Sequence, residues 1–131
     1  MTFSEMYQQL WATGDQQLSE KIFEKDITYT FNAIKIRGRD TAMAHISERK
    51  NDFKVTYEIF NICANHELEY HQWKAQAALR DKFDEFLPTN KEFSYAGLTL
   101  LKIKNKMITE IIMYSDIDEV LGKMTKNKTS S

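Results

Sequence analysis

The chain carries a single cysteine, Cys63, a single proline, Pro88, and only four glycines in 131 residues. A lone cysteine excludes an internal disulfide and fits a reducing compartment. So few glycines leave no glycine-rich phosphate loop. No His-x-His, Cys-x-x-Cys or His-Glu-x-x-His spacing occurs, and His66 and His71 fall on opposite faces of one predicted strand, so no metal site is expected. A Ser–His–Asp triad lacks a nucleophile-elbow signature. Charge of one sign is also missing: 18 basic and 19 acidic residues are interspersed, for a net charge of −1. Without a basic stripe, nucleic acid is not an expected partner. No run approaches the roughly 18–20 apolar residues of a membrane span. Glu5 interrupts the N-terminus before any apolar stretch, which does not fit a signal peptide. The expected location is cytoplasmic, with no membrane partner.

What is present is an ordinary globular composition, 42% hydrophobic and 12% aromatic, of single-domain size. A chain of this length buries roughly two-thirds of its unfolded surface. Phe3, Met6, Tyr7, Leu10 and Trp11 recur at helical spacing. Thr2 with Glu5 reads as a capping box, Gly14 as a helix C-cap and Asp15 as the cap of a second helix carrying Leu18, Ile22 and Phe23. Residues 27–31 and 34–37 read as strands about an Asn32-Ala33 turn, and Asp40 as the cap of a third helix. Long strands follow. Phe53, Val55, Tyr57 and Ile59 share one face, and over 67–80 the odd face near Trp73 is the buried one. Asn65-His66 and Asn105-Lys106 read as hairpin turns. Residues 81–90, with Pro88, read as a loop. Strands are expected over 92–104 and 107–115. Ser115 or Asp116 then caps a last helix. Residues 1–122 form one domain in this reading, and 123–131 a polar, disordered tail. Its lysines, Lys123, Lys126 and Lys128, are expected in solvent.

Helices that precede a meander of strands indicate an α+β fold. Strands of this length twist and can curl, leaving an apolar cavity beneath the helices.

The order and local motifs resemble the SnoaL-like, polyketide cyclase-like branch of the nuclear transport factor two-like superfamily. The matching segments are Tyr7 to Asp15, Phe23 to Tyr29, Ile36-Arg37-Gly38, Pro88-Thr89-Asn90-Lys91, and Met107-Ile108-Thr109-Glu110 through Ser115-Asp116, over about residues 3–122. Asn90 stands where the family has glycine. The resemblance implies a cone-shaped, curved antiparallel sheet wrapped around N-terminal helices. It also implies a homodimer, and Leu98 and Leu100 on the outer face add support for one. The family holds polyketide cyclases, ketosteroid isomerases, epoxide hydrolases, dehydratases and non-catalytic binding modules, so fold leaves function open.

Asp116 has two readings. The resemblance makes it the acid/base of the SnoaL-like cyclases, and its place before the last helix makes it a cap. Tyr7 stands to Asp15 as the oxyanion-binding tyrosine of ketosteroid isomerases stands to their Gly-Asp aspartate; the bland reading is cavity lining. Isomerase activity is disfavoured, because Phe31 and Thr99 fall where those enzymes keep their two acids. His71 shares a face with Trp73 and is either a proton carrier or a hydrogen-bonded core residue. His45, on the third helix, is a lesser candidate, facing either the cavity mouth or solvent. The expected lining is Trp11, Phe31, Tyr57, Trp73, Tyr95, Ile112 and Tyr114. Cys63 reads as inert packing. The expected ligand is a hydrophobic small molecule, and no cofactor is expected. The alternative is a dimeric binding or assembly module without catalysis.

Overall fold

The structure is a computed structural model that describes residues 1–79 and 91–129. The 81–90 loop and most of the Pro88 to Lys91 turn lie outside the described residues. Two helices open the chain, α1 (Phe3–Thr13) and α2 (Gln16–Ile22). Strands β1 (Phe23–Phe31) and β2 (Ile34–Arg37) follow, then α3 (Arg39–Asp52). The long strands are β3 (Phe53–Ala64), β4 (Leu68–Leu79), β5 (Glu92–Lys104) and β6 (Met107–Ser115), and α4 (Ile117–Thr129) closes the chain. α4 includes backbone that the composition suggested as tail. No helix among the described residues is long and apolar enough to cross a membrane.

Local chemistry sets the early boundaries. Thr2 and Glu5 form the capping box at α1, and Gly14 ends that helix at φ 68°. The Asp15 side chain accepts from the Gln17 and Leu18 N–H groups to start α2. At α3 the expected cap moves. Gly38, at φ 100°, is the N-cap and no side chain serves it, so Asp40 lies inside the first turn. Glycine is suited there because a side chain is strained at that φ.

The six strands form one sheet in the order β2-β1-β6-β5-β4-β3. The fold is α+β, as expected, and the sheet is mixed rather than wholly antiparallel. β1 pairs with β6 in parallel, a pairing that the long connection through α3 and three strands permits. The helices α1, α2 and α3 lie against the inner face. Tyr29, Phe23, Leu10, Ile27 and Ile46 are among the fully buried side chains there.

One-residue bulges set which side chains reach that face. Between Phe60 and Cys63 the register of β3 against β4 shifts, with Asn61 at φ 53°. Past the bulge Cys63 pairs with Tyr70, on the outer face. Cys63 is therefore exposed, not packed as the apolar run suggested. A second shift falls between Lys102 and Ile103, where β5 meets β6. It turns Ile111 and Met113 inward and leaves Ile112 and Tyr114 outside.

Candidate functional site

Between the helices and the inner face lie two adjoining hollows of about 20 Å³ each, room for about one water apiece. They share Trp11 of α1, Tyr57 of β3, Trp73 of β4 and Met113 of β6. The first adds Tyr7 and Gln8 of α1, Ile59, His71 and Thr99. The second adds Phe31, Arg49 of α3, Tyr95, Ile117 and the β3 residues Phe53 and Val55.

Trp73 is the hub. Its ring meets Tyr57 and Tyr95 edge-on, at 5.8 Å and 5.6 Å between centroids. Its Nε1 donates to Thr99 Oγ1 at 3.0 Å. The indole comes close to β5 at Gly97, its register partner, which has no side chain. A Cβ at Gly97 would overlap the Trp73 ring and the Tyr114 carbonyl. Trp11 reaches the hollows from α1 and meets Tyr57 at 5.8 Å. Lys50 holds that helix end, donating to the Trp11 and Ala12 carbonyls at 3.1 Å and 2.8 Å. Gln8 Nε2 donates to the Tyr57 carbonyl at 3.0 Å and ties α1 to β3.

Burial favours the neutral forms of His71 and of the tyrosines in the cleft. His71 is 2% exposed. Its Nδ1 is 2.9 Å from Ser4 Oγ, and burial lowers its pKa to about 4. Ser4 is fixed by the buried Glu69 carboxylate, which accepts from the Ser4 and Phe3 N–H groups at 2.9 Å and 3.1 Å. Glu69 thus caps α1 from the sheet, opposite the positive end of its dipole. Burial pushes Tyr7 up to about 12, only partly offset by the Trp11 and Tyr29 groups beside it. The Tyr7 hydroxyl reaches Met113 Sδ at 3.7 Å. The Tyr57 and Tyr95 hydroxyls are 3.4 Å apart, and burial raises both pKa values.

The structure brings together most of the expected site residues. Tyr7, His71, Trp11, Phe31, Tyr57, Trp73 and Tyr95 all line one hollow or both. Ile112 and Tyr114 do not, because the β6 bulge turns them outward, and Tyr114 is 59% exposed. Asp116 is also absent from the lining. It is exposed, and its Oδ1 accepts from the Ala96 N–H at 2.8 Å while its own N–H donates to the Ala96 carbonyl. It clips the end of β6 to β5 instead of serving the cleft. The helix-cap role falls to Ser115, whose Oγ accepts from Ile117 N–H at 3.1 Å. His45 packs on Tyr29 and Phe31 and lines neither hollow. Phe31 and Thr99 occupy the inner face, as the isomerase count placed them. Ser4, Glu69, Arg49, Met113 and Gly97 were not singled out from sequence. Glu69 could have been, since it shares the odd face of β4 with His71 and Trp73. Among the described residues, no three His, Cys, Asp or Glu side chains lie together where they could hold a metal.

No family model matches the chain, and no curated protein matches its sequence. Solved structures do match its shape. A candidate SnoaL-like polyketide cyclase from Jannaschia sp. CCS1 superposes with a TM-score of 0.79 at 15% identity, over 93% of this chain and 90% of that one. IdmH, a candidate polyketide cyclase from Streptomyces antibioticus, gives 0.79 at 16% identity, over 92% and 96%. A protein of ketosteroid isomerase-like fold from Catenulispora acidiphila, solved with trimethylamine, gives 0.75 at 18% identity, over 92% and 90%. At these identities the likeness is one of fold, and the chain has the SnoaL-like, nuclear transport factor two-like fold.

Proposed function

We infer that the protein binds a flat, largely apolar small molecule between its helices and the inner face of its sheet. The observation that carries this reading is the convergence of Trp11, Tyr57 and Trp73, from three separate elements, on two adjoining hollows. Aromatic walls with a few oriented polar groups are the usual make-up of a ligand site. The hollows are narrow, so a ligand enters by parting rings rather than by filling a ready chamber. That favours a thin, planar molecule. The names of the candidate cyclases sharing the fold point to polyketides, whose fused rings have this shape.

Acid–base turnover is not part of the reading. Asp116 is outside the cleft, and His71 at about 4 is far from the near-neutral pKa that suits a general base. Tyr7, protonated and buried, can donate a hydrogen bond to a ligand oxygen. His71 can orient one through the ring nitrogen not engaged by Ser4.

The test is a titration with naphthamide, a flat neutral probe, followed by NMR through the indole N–H signals of the two tryptophans. Both line the cleft and the chain has no others. Both signals should shift saturably. Unmoved indole signals at millimolar probe would refute the reading.

A second reading concerns assembly. Tyr114, Leu98, Tyr70 and Phe60 are 38–59% exposed on the outer face. Register makes them neighbours: Leu98 pairs with Tyr114, Leu100 with Ile112 and Tyr70 with Leu100. A contiguous apolar face of this kind suits a second copy of the chain, and a homodimer is the assembly it supports. Light scattering should give twice the chain mass; a concentration-independent monomer would contradict it.

A further inference from the structure

Deepening the binding reading, on which it rests, we propose that the ligand is an acid: a flat ring system whose carboxylate is held by Arg49 at the edge of the second hollow. Arg49 is the one charged residue among the described residues lining either hollow. Its guanidinium carbon sits 5.5 Å from the centroid of the Phe31 ring, a cation–π contact that fixes the head group beside the aromatic wall. The same wall supplies Trp11, Tyr57, Trp73 and Tyr95, so a ring among them would carry a substituent within reach of the guanidinium.

The remaining polar groups of that hollow have the same bias. In the Tyr57–Tyr95 pair one hydroxyl donates to the other, which leaves the accepting phenol its own proton to give. No carboxylate, amide or carbonyl-bearing side chain lines this hollow among the described residues. With Arg49 as its charged group, this lining favours a ligand that carries an acceptor. A carboxylate, singly charged and planar, matches the guanidinium fork, which can hold it by two parallel hydrogen bonds and still keep other partners. The positive charge is felt inside the cleft: Arg49 counters the burial that raises Tyr57 and Tyr95.

The experiment compares naphthoate with naphthamide, an acid and its neutral analogue of the same shape, by the indole N–H titration. Naphthoate should bind at least about tenfold more tightly, since a charge-assisted pair replaces a neutral contact. Arg49→Gln should abolish that preference. Arg49→Lys keeps the charge without the fork and should retain part of the preference; it serves as the check if the glutamine variant folds poorly. Equal affinity for the two probes, or a preference that survives in Arg49→Gln, would overturn the acid and leave the apolar site standing. If neither probe moves the indole signals, the pocket reading itself fails and the acid with it.

Discussion

The two faces of the central sheet share the same strands and differ in almost everything else. The inner face places Trp73, Tyr95, Thr99 and His71 under the helices, with Trp73 paired to Thr99 and His71 to Ser4. The outer face sets Leu98, Tyr114 and Tyr70 in solvent, beside the Lys74–Glu58 ion pair. Both faces are apolar enough to bind something. The difference lies in rigidity and shape: rings interlock edge to edge on one side and stand free on the other. On the reading proposed above, the inner face takes a small planar guest and the outer face a second copy of the chain.

Substitutions on the two faces should differ accordingly, and the largest contrast is at β5. Gly97→Ala puts a Cβ into the Trp73 ring and the Tyr114 carbonyl, neither of which can yield cheaply. Overpacking of this kind costs about 3 kcal/mol or more, to be read as a lower denaturation midpoint, with the Trp73 indole signal displaced. A variant as stable as the parent would show that Trp73 is not seated as described.

The next effect is set by pH. His71 has a folded pKa of about 4 against an ordinary value of 6.5. Its neutral form is the native one, so the unfolded chain takes up the proton first. Stability is full above about pH 6.5 and falls as the pH drops toward 4, by up to about 3 kcal/mol. His45, lowered by burial and by Arg49, acts in the same direction. Denaturant unfolding across this window should show the slope, and His71→Gln should remove most of it. An unchanged slope would place the titrating group elsewhere.

The smallest effect belongs to the outer face. Leu98→Glu should change the stability of a single chain by no more than about 0.5 kcal/mol, as surface substitutions do, while converting the proposed dimer to monomer in light scattering. A loss of several kcal/mol would mean that this face is structural in each chain, not reserved for a partner.

Much of the inner face was legible because alternation is a local signal. Period-two patterning put Tyr57 on the apolar face of one strand and Trp73 and His71 on the buried face of the next, and caps at Thr2, Gly14 and Asp15 depend on residues a few positions away. The errors have a common physical cause. Counting outward from the Asn105-Lys106 turn places Ile112 and Tyr114 inside, and the bulge in β6 reverses them. Cys63 is reversed the same way by the bulge at Asn61. Each bulged stretch is apolar on both faces, so composition gave no sign of the flip. Asp116 was unreadable for another reason: its partner, the Ala96 N–H, is brought to it only by strand pairing. Arg49 showed nothing in sequence to set it apart from the other charges of α3.

The central claim is that a flat molecule lodges between Trp11 and Trp73, and a crystal structure of the protein soaked with naphthoate tests it most directly. The account predicts ring density between the Trp11, Tyr57 and Tyr95 side chains, with those rings parted from their present contacts and the carboxylate at Arg49. A ring lying on Leu98 and Tyr114 instead, with the inner hollows unchanged, would contradict it.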